Sequence, residues 1–298
     1  MTAGPGATGG EPALAAVPPP EPLPAPALDS HCHLEMIERP VAEVMAEPRE
    51  AGIVRAVTIG TDLATSTWAA QAAYRHPDVY AAVAVHPNET VAAASTPAQR
   101  EEVLAQIAEL ALLERVRAIG ETGLDYYREY ASPVVQRDWF RAHIAMAKQA
   151  GKPLVIHDRD AHQDVLDILE TEGPPEKVIF HCFSSGPEMA RTCIDAGWYL
   201  SLSGTVSFRN ATALREAALL IPPAQVLVET DAPFLTPHPY RGAANEPYCL
   251  PYTVRALAEL TGRPAEEVAH DSSANARRVY GLAEAGGCPG HGPGPQEG

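Results

Sequence analysis

Short apolar runs alternate along this chain with longer stretches in which apolar residues recur at helical spacing. The runs are rich in β-branched residues and have the length of strands, while the longer stretches are rich in Ala, Leu and Glu. One strand is predicted in the apolar segment that leads to His31. Seven further strands are predicted at residues 53–59, 79–85, 116–119, 153–156, 177–180, 198–202 and 226–228.

Helices are predicted between these strands. Pro97 and Pro133 fit the first turn of a helix, and Gly151 and Gly197 follow stretches where a left-handed cap is favoured. The predicted helices cover residues 40–51, 63–76, 97–114, 133–150, 161–172, 187–196, 210–220, 252–260 and 265–280. Strands that alternate with helices pair in parallel through right-handed crossovers, so the pattern predicts an α/β protein, a closed (β/α)8 TIM barrel. The pattern alone also fits a doubly wound open sheet.

The two ends of the chain differ in composition from the part between them. Residues 1–27 hold eight prolines and no basic residue, and residues 284–298 are rich in Gly and Pro. Segments of this kind bury too little apolar surface to form a core. We therefore expect disordered tails at both ends of one (β/α)8 domain at residues 28–283, whose length fits a single barrel of about 250 residues.

The chain is strongly acidic. Its 298 residues include 38 acidic and 22 basic side chains, which gives a net charge of −16. Broad, sequence-independent adhesion to nucleic acid is disfavoured, because such adhesion relies on Lys and Arg that neutralise phosphates. An anionic substrate would therefore need a local positive centre, which a cluster of divalent cations supplies.

Neither a membrane span nor a leader peptide is predicted. No apolar run approaches the roughly 20 residues that cross a bilayer, and no basic residue precedes an apolar segment at the N-terminus. The five cysteines are scattered and form no C-x-x-C pair, which is typical of reduced thiols. We expect a cytoplasmic protein with no membrane contact and no obligatory protein partner.

Histidines and carboxylates follow several of the predicted strands. His31 and His33 are two residues apart, and in an extended segment this spacing points both imidazoles to one side. Active sites of barrels form where the C-terminal ends of the strands meet. The other residues predicted at this rim are Glu121, His157, His181, Glu229 and Asp231.

A metal centre is the interpretation that these residues favour together. A single His after a strand is more often a structural residue, and Asp231 alone also fits a helix N-cap. It is improbable that several independent strands would all place such side chains at one rim by chance, without a bound ion that they share. Imidazole and carboxylate groups without thiolate suit Zn, Mn, Co, Ni or, with more oxygen donors, Mg.

Ordered sequence blocks extend this interpretation to a family. They are D-S-H-C-H-L, A-I-G-E-T-G-L-D-Y-Y, P-L-V-I-H-D-R-D-A, I-F-H-C-F-S-S-G, Y-L-S-L-S-G-T-V-S-F-R-N, L-V-E-T-D-A-P-F-L-T-P and Y-R-G-A-A-N-E-P. In this order they resemble the signature blocks of the TatD family of metal-dependent deoxyribonucleases, which belongs to the amidohydrolase-like barrels. The resemblance extends from Leu28 to about Leu282.

The resemblance implies two divalent metal ions per chain. It implies that one ion is held by His31, His33, Glu121 and Asp231. A second ion would be held by Glu121, His157 and His181, with Glu121 as the bridging ligand. A carboxylate suits the shared position, because its two oxygens can hold two cations about 3.5–4 Å apart.

The reaction expected from such a centre is hydrolysis of a phosphodiester bond, an ester bond, by hydroxide that the metals generate from water. We expect Asp231 to orient the water and accept its proton, and Glu121 to act as the shared ligand. The function predicted from the resemblance is a deoxyribonuclease, in particular an exonuclease. Its partner is DNA, as ends or single strands, with weak non-specific binding because of the acidic charge.

Further rim residues are candidates for substrate contacts. A histidine after the third strand suits a phosphate contact, aromatic and arginine side chains suit base stacking and phosphate binding, and hydroxyls near a helix start suit anions. Ordinary loop packing is the alternative for each of them. The candidates are His86, Tyr126, Arg128, Arg159, Ser184 and Arg241.

Two other functions remain open from the sequence. The same centre suits hydrolysis of an ester, lactone or amide, including deacylation of a D-aminoacyl-tRNA, because the fold does not determine the chemistry. Glu121, rather than a lysine, after the fourth strand favours the nuclease by resemblance only. The second is a non-catalytic binding protein on the same scaffold, which an intact ligand set disfavours.

Overall fold

Eight parallel strands form one sheet, in which each strand pairs with the next along the chain. The computed structural model describes residues 16–128 and 130–283. The strands are β1 (Ala27–Cys32), β2 (Ile53–Ile59), β3 (Val79–Val83), β4 (Val116–Asp125), β5 (Leu154–Arg159), β6 (Val178–Phe180), β7 (Tyr199–Leu202) and β8 (Val226–Val228). The helices are α1 (Val41–Val44), α2 (Ala46–Glu50), α3 (Leu63–Arg75), α4 (Thr90–Ala93), α5 (Pro97–Ala111), α6 (Pro133–Ala150), α7 (His162–Glu172), α8 (Pro187–Asp195), α9 (Thr212–Ala218), α10 (Leu250–Thr261) and α11 (Ala265–Tyr280).

The barrel closes through hydrogen bonds between the C-terminal end of β1, with the residue directly after it, and the segment that follows β8. The Asp231 N–H donates to the carbonyl oxygen of His31 at 3.0 Å, and the His33 N–H donates to the carbonyl oxygen of Ala232 at 2.7 Å. These bonds join the first and last strands at their C-terminal ends. The predicted (β/α)8 TIM barrel is confirmed, and the alternative of an open doubly wound sheet is wrong.

The largest difference from the predicted elements is in β4. The pattern predicts a strand over residues 116–119, but β4 runs over ten residues and ends at Asp125. Gly123 permits this extension, because its φ is 139° and a Cβ there would lie 2.1 Å from the carbonyl oxygen of His157 on β5. Glu121 therefore lies within a strand, beside β5, rather than after a strand end.

The helices surround the barrel and use the capping residues that the sequence indicates. α6 follows Ser132, whose hydroxyl oxygen accepts a hydrogen bond from the Val135 N–H, and it ends at Gly151 with φ 61°. The predicted helix at residues 40–51 is interrupted between α1 and α2, and α4 has no counterpart in the prediction. Within the described residues, no helix combines the length and the apolar character needed to cross a bilayer.

The end of α11 fills the bottom of the barrel. Tyr280 packs against inward-facing side chains of the strands, among them Leu28, Val57 and Ile179. Its hydroxyl donates a hydrogen bond to the carbonyl oxygen of Ser30 at 3.0 Å. Because apolar groups occupy this end of the barrel, the polar side chains of the strands converge at the opposite, C-terminal end.

The N-terminal segment differs from its prediction. Residues 16–26 lie along the barrel, where Val17 and Leu23 are buried. The Tyr248 hydroxyl donates to the carbonyl oxygen of Val17 at 2.7 Å, and the Leu23 N–H donates to that of Ala51 at 3.0 Å. The prediction of disorder is therefore wrong for residues 16–27, because two apolar side chains anchor an otherwise proline-rich segment. Residues 1–15 and 284–298, for which disorder is also predicted, lie outside the described residues.

Candidate metal centre

The six predicted ligands converge at the C-terminal end of the barrel. They come from five strands or from the turns that directly follow them, and five of the six are buried while His157 is half-buried. They are His31, His33, Glu121, His157, His181 and Asp231. Each of their distances to a neighbour in this set is short enough for shared ligation of an ion.

Glu121 lies at the middle of the group, and its two carboxylate oxygens face different histidines. Its Oε2 lies 3.4 Å from Nε2 of His31 and 3.6 Å from Nε2 of His33. Its Oε1 lies 2.6 Å from Nδ1 of His157 and 2.8 Å from Nε2 of His181. The carboxylate therefore separates two pairs of imidazoles, one on each oxygen.

Asp231 joins the first of these pairs. Its Oδ1 lies 3.7 Å from Nε2 of His31 and 3.5 Å from Nε2 of His33. These distances exceed those of direct hydrogen bonds. Two imidazole nitrogens and oxygens from Asp231 and Glu121 thus face a common space, which suits a cation bound between them.

Hydrogen bonds at the far side of three rings set which nitrogen faces the centre. Nδ1 of His33 lies 3.1 Å from the carbonyl oxygen of Ile59, so it carries the proton and donates it there. Nδ1 of His181 lies 3.2 Å from Oε1 of Glu229, and Nε2 of His157 lies 3.2 Å from Oδ2 of Asp125. In each ring the opposite nitrogen faces Glu121, and it would be the ligand atom once a cation takes the place of any proton held there.

His31 provides a direct test of whether these residues fit a metal. Its ring is fully buried, and neither of its nitrogens has a hydrogen-bond partner among the described residues. A buried polar atom without a partner is costly unless a ligand satisfies it. Its Nε2 faces the carboxylates of Glu121 and Asp231, so the donor set fits a divalent cation.

The protonation states of His31 and Glu121 suit metal binding, whereas neighbouring carboxylates outweigh burial and raise the pKa of His33, His157 and His181, so a bound cation would displace a proton from these rings. Burial, followed by the neighbouring His181 ring at a centroid distance of 3.8 Å, lowers the pKa of His31 to about 3. Burial alone would raise the pKa of Glu121, but His181, His86 and His157 together hold it well below its usual value. At neutral pH His31 is therefore a neutral ligand and Glu121 an anionic one, which are the forms that bind cations.

Three carboxylates support the predicted ligands: Glu229 is predicted at the rim but not as a ligand, and Asp125 and Asp29 are not predicted as site residues. Asp125 and Glu229 orient His157 and His181, and Glu229 also accepts a hydrogen bond from the Cys182 N–H at 2.7 Å. Asp29 is fully buried and accepts from the Thr230 N–H at 2.9 Å, and burial raises its pKa to about 7. Their positions in G-L-D, E-T-D and D-S-H, beside the ligands, are the signal available in the sequence.

Phe234 is a second feature that the sequence did not reveal. Its side chain is 50% exposed although it is large and apolar. Its ring lies edge to face with the candidate ligand His33, at a centroid distance of 6.0 Å. An exposed aromatic ring beside the centre offers a flat surface for a substrate group.

His86, predicted to contact substrate, reaches the centre. Its Nδ1 accepts a hydrogen bond from the Asn88 N–H at 3.1 Å, so the neutral ring carries its proton on Nε2. This Nε2 lies 3.5 Å from Oε1 of Glu121. His86 therefore presents an N–H donor to the same space, rather than a lone pair.

The other predicted contacts are spread over the rim. The Tyr126 hydroxyl is engaged, since it donates to Asp164 at 2.6 Å, whereas the neighbouring Tyr127 is 59% exposed. The guanidinium of Arg159 lies 3.9 Å from the centroid of the Tyr127 ring, and that of Arg128 lies 5.8 Å from it. The structure thus forms an exposed cluster of Tyr127, Arg128 and Arg159 beside β5.

Ser184 and Arg241 lie elsewhere on this face. Ser184 is exposed in the segment between β6 and α8. The guanidinium of Arg241 lies 4.1 Å from the centroid of the Phe208 ring, in the segment that follows β7. Neither residue approaches the six ligands within the distances of an ion pair or hydrogen bond.

Sequence comparisons agree with this geometry. The family model described as TatD related DNase matches residues 28–281. The "uncharacterized metal-dependent hydrolase TatD" of Mycobacterium tuberculosis is 54% identical over 264 residues, which cover 86% of this chain and 98% of the relative. The "uncharacterized metal-dependent hydrolase YabD" of Bacillus subtilis is 40% identical over 256 residues, which cover 85% of this chain and 98% of the relative.

A solved structure shows the same fold. The crystal structure of YJJV, a TatD homologue from Escherichia coli K12, superposes with a TM-score of 0.80 at 23% identity, covering 86% of this chain and 98% of that one. The family match spans the whole barrel, and both relatives exceed the identity at which a shared family is secure. This chain therefore belongs to the TatD family of metal-dependent hydrolases.

Proposed function

We propose that this protein is a deoxyribonuclease that uses two divalent metal ions to hydrolyse phosphodiester bonds at DNA ends or in single strands. The observation that carries the proposal is the division of Glu121, whose Oε2 faces His31 and His33 while Oε1 faces His157 and His181. Paired metal sites that share a ligand are typical of enzymes that cleave phosphate esters.

Bound divalent ions would lower the pKa of water toward neutrality and offset the charge on a phosphate. Residues of the chain would orient the water, accept its proton and bind the phosphate. Asp231 lies beside His31 and His33 with its Oδ1 toward the centre, where it orients a water molecule and accepts its proton. His86 directs its Nε2–H into the same space, where it donates to a phosphate oxygen.

The rim around the centre suits a strand with phosphates and flat bases. Arg159 and Arg128 stack on or near Tyr127, so that positive charge and an exposed ring lie together on one side. Phe234 offers a second exposed ring beside His33. Aromatic rings that stack bases and cations that hold phosphates are the usual means of binding single strands.

The test compares substrates and counts metal ions. Metal-reconstituted protein is incubated with end-labelled single-stranded DNA, double-stranded DNA, RNA and a panel of esters, lactones and amides. Bound metal is measured in parallel for the wild type and for Glu121→Gln, which keeps the shape of the side chain and removes its charge. We expect about two ions per wild-type chain, release of nucleotides from DNA, and loss of both in the variant.

Three results would contradict the proposal. Hydrolysis confined to esters, lactones or amides, and lost in Glu121→Gln, would replace the nuclease by the alternative enzyme. A single ion per chain in a fully active protein would contradict the two-metal centre. Metal binding without any hydrolysis would instead indicate a binding protein.

A further inference from the structure

A pocket lies between the segment after β7 and helix α10. None of the six candidate metal ligands lines it. Its volume is about 400 Å³, which is within the range of small-ligand sites. The basic and aromatic side chains that line it are Arg209, Arg215, Arg255, His238 and Tyr252. A cluster of this kind is unusual in a chain with a net charge of −16.

The positive charge of this pocket is largely uncompensated. Glu259 is the carboxylate among its lining residues, against three guanidinium groups. Arg215 donates to the carbonyl oxygen of Val206 at 2.9 Å, and Arg255 donates to that of Glu21 at 2.6 Å. Among the described residues, none of the three arginines forms an ion pair with a carboxylate. Arg215 and Arg255 are held by backbone oxygens, and all three arginines keep their charge available for an anion.

The pocket is joined to the segment that carries the ligand Asp231. The His238 N–H donates to the hydroxyl oxygen of Ser207 at 2.8 Å, which ties the segments after β8 and β7 together. At Gly204, a Cβ would lie 2.1 Å from the carbonyl oxygen of Leu235, so the two segments also pack backbone to backbone. The loops after strands 7 and 8 are where barrels often bind phosphate.

We propose that this pocket binds a backbone phosphate of the same polynucleotide, at a distance from the bond that is cleaved. The inference rests on the proposed nuclease function. Arginine forks match phosphate oxygens, and the Tyr252 ring and the exposed His238 provide further contacts to a strand. Such a pocket would give an acidic protein a local hold on its substrate without a broad basic surface.

The test measures binding and hydrolysis separately. Arg209 is exposed and has no hydrogen-bond partner among the described residues, so Arg209→Gln removes charge without removing an internal contact. Arg75→Gln is the matched control, because Arg75 is exposed at the end of α3, at the opposite end of the barrel. Arg209→Lys keeps the charge. Binding of a fluorescent single-stranded octanucleotide to each full-length protein is followed by anisotropy at several salt concentrations.

We expect Arg209→Gln to bind the octanucleotide about tenfold more weakly than the wild type, as the loss of a charge-assisted contact implies. The slope of log affinity against log salt should become shallower by about 0.7, the value for one phosphate of a single strand. Arg209→Lys should recover part of the affinity, and Arg75→Gln should bind like the wild type. In hydrolysis, KM of the wild type should fall as the strand is lengthened from two to eight nucleotides, and Arg209→Gln should lose that fall.

The outcomes separate this inference from the proposed function. Equal binding by Arg209→Gln and Arg75→Gln, with DNA hydrolysed normally, overturns the phosphate pocket alone. If Arg209→Gln binds the octanucleotide more weakly but the wild type hydrolyses no polynucleotide, the proposed nuclease function is overturned and the pocket remains a phosphate site. The inference is also overturned if the pocket binds inorganic phosphate but Arg209→Gln binds the octanucleotide as tightly as the wild type does.

Discussion

The Nε2 atom of His157 lies 3.2 Å from Oδ2 of Asp125, on the edge of the ring opposite Glu121. Both carboxylates come from the same strand, four residues apart, so β4 supplies a candidate ligand and the residue that orients a neighbouring candidate ligand. The imidazole is thereby fixed between two acidic groups. This arrangement orients metal-binding histidines in many proteins.

Asp125→Asn is predicted to weaken metal binding by about 10- to 100-fold, because a neutral amide holds the Nε2–H of His157 less firmly. Metal content after equilibrium dialysis measures the effect. Asp158→Asn is the matched control, since Asp158 lies on β5 next to His157 but pairs with His162 at 2.7 Å. Equal metal content in the two variants would show that Asp125 does not support the centre.

Asp231→Asn is predicted to lower kcat by about 10²- to 10⁴-fold, the usual contribution of a general base. The amide keeps an oxygen near His31 and His33 but accepts no proton at working pH. Metal content and kcat are measured on the same preparation, so that loss of metal is told apart from loss of the base. An Asp231→Asn protein with full metal content and wild-type turnover would contradict this role.

Phe234→Ala is predicted to raise KM for single-stranded DNA by about five- to 100-fold, because stacking of one base on an aromatic ring contributes about 1–3 kcal/mol. Tyr74 is 85% exposed on helix α3, away from the centre, so Tyr74→Ala controls for the loss of an exposed ring. Metal content should be the same in both. If KM does not differ between the two variants, Phe234 is not a stacking platform.

His143 is predicted to make folding stability depend on pH. The ring is fully buried, and burial followed by the charge of Arg100 lowers its pKa to about 3, against a usual value of 6.5. Below pH 6.5 the unfolded chain gains a proton on this ring that the folded chain lacks. The stability is therefore complete above that pH and falls toward pH 3, by up to about 1.4 kcal/mol per pH unit.

Urea unfolding of the wild type and His143→Gln at several pH values checks this prediction. Glutamine can donate to Thr122 and accept from Val85, which are the partners of the imidazole. The free energy of unfolding of the variant should vary less between about pH 4 and pH 6, by roughly 1 kcal/mol per pH unit. Identical slopes would mean that other groups cause the pH dependence.

The barrel and the convergence of the six candidate ligands were accessible from the sequence because both depend on local patterns. The alternation of strands and helices fixes the topology, and a histidine or acid beside a strand end indicates the rim. The supporting residues depend on contacts between distant segments. Glu229 orients His181 from 48 positions away, and nothing in the sequence near either residue shows the pair.

The exposure of individual side chains could likewise not be predicted from the sequence. Tyr126 and Tyr127 are adjacent and chemically alike, but only the structure shows that the Tyr126 hydroxyl is engaged by Asp164 and that Tyr127 faces outward. The extension of β4 depends on the close approach of Gly123 to the backbone of His157. Such packing is set by the neighbouring strand, so the apolar pattern of β4 alone ends the strand too early.

The ordered N-terminal segment has a practical consequence for where the protein can be shortened. A boundary at residue 28, where the family match begins, would remove the partners of Tyr248 and of the pocket residue Arg255. A shortened protein that keeps these contacts must therefore begin at or before Val17. A truncation that leaves every candidate metal ligand in place would still expose the apolar side chains that pack against Val17 and Leu23, and it would release the Arg255 guanidinium from the backbone oxygen that holds it.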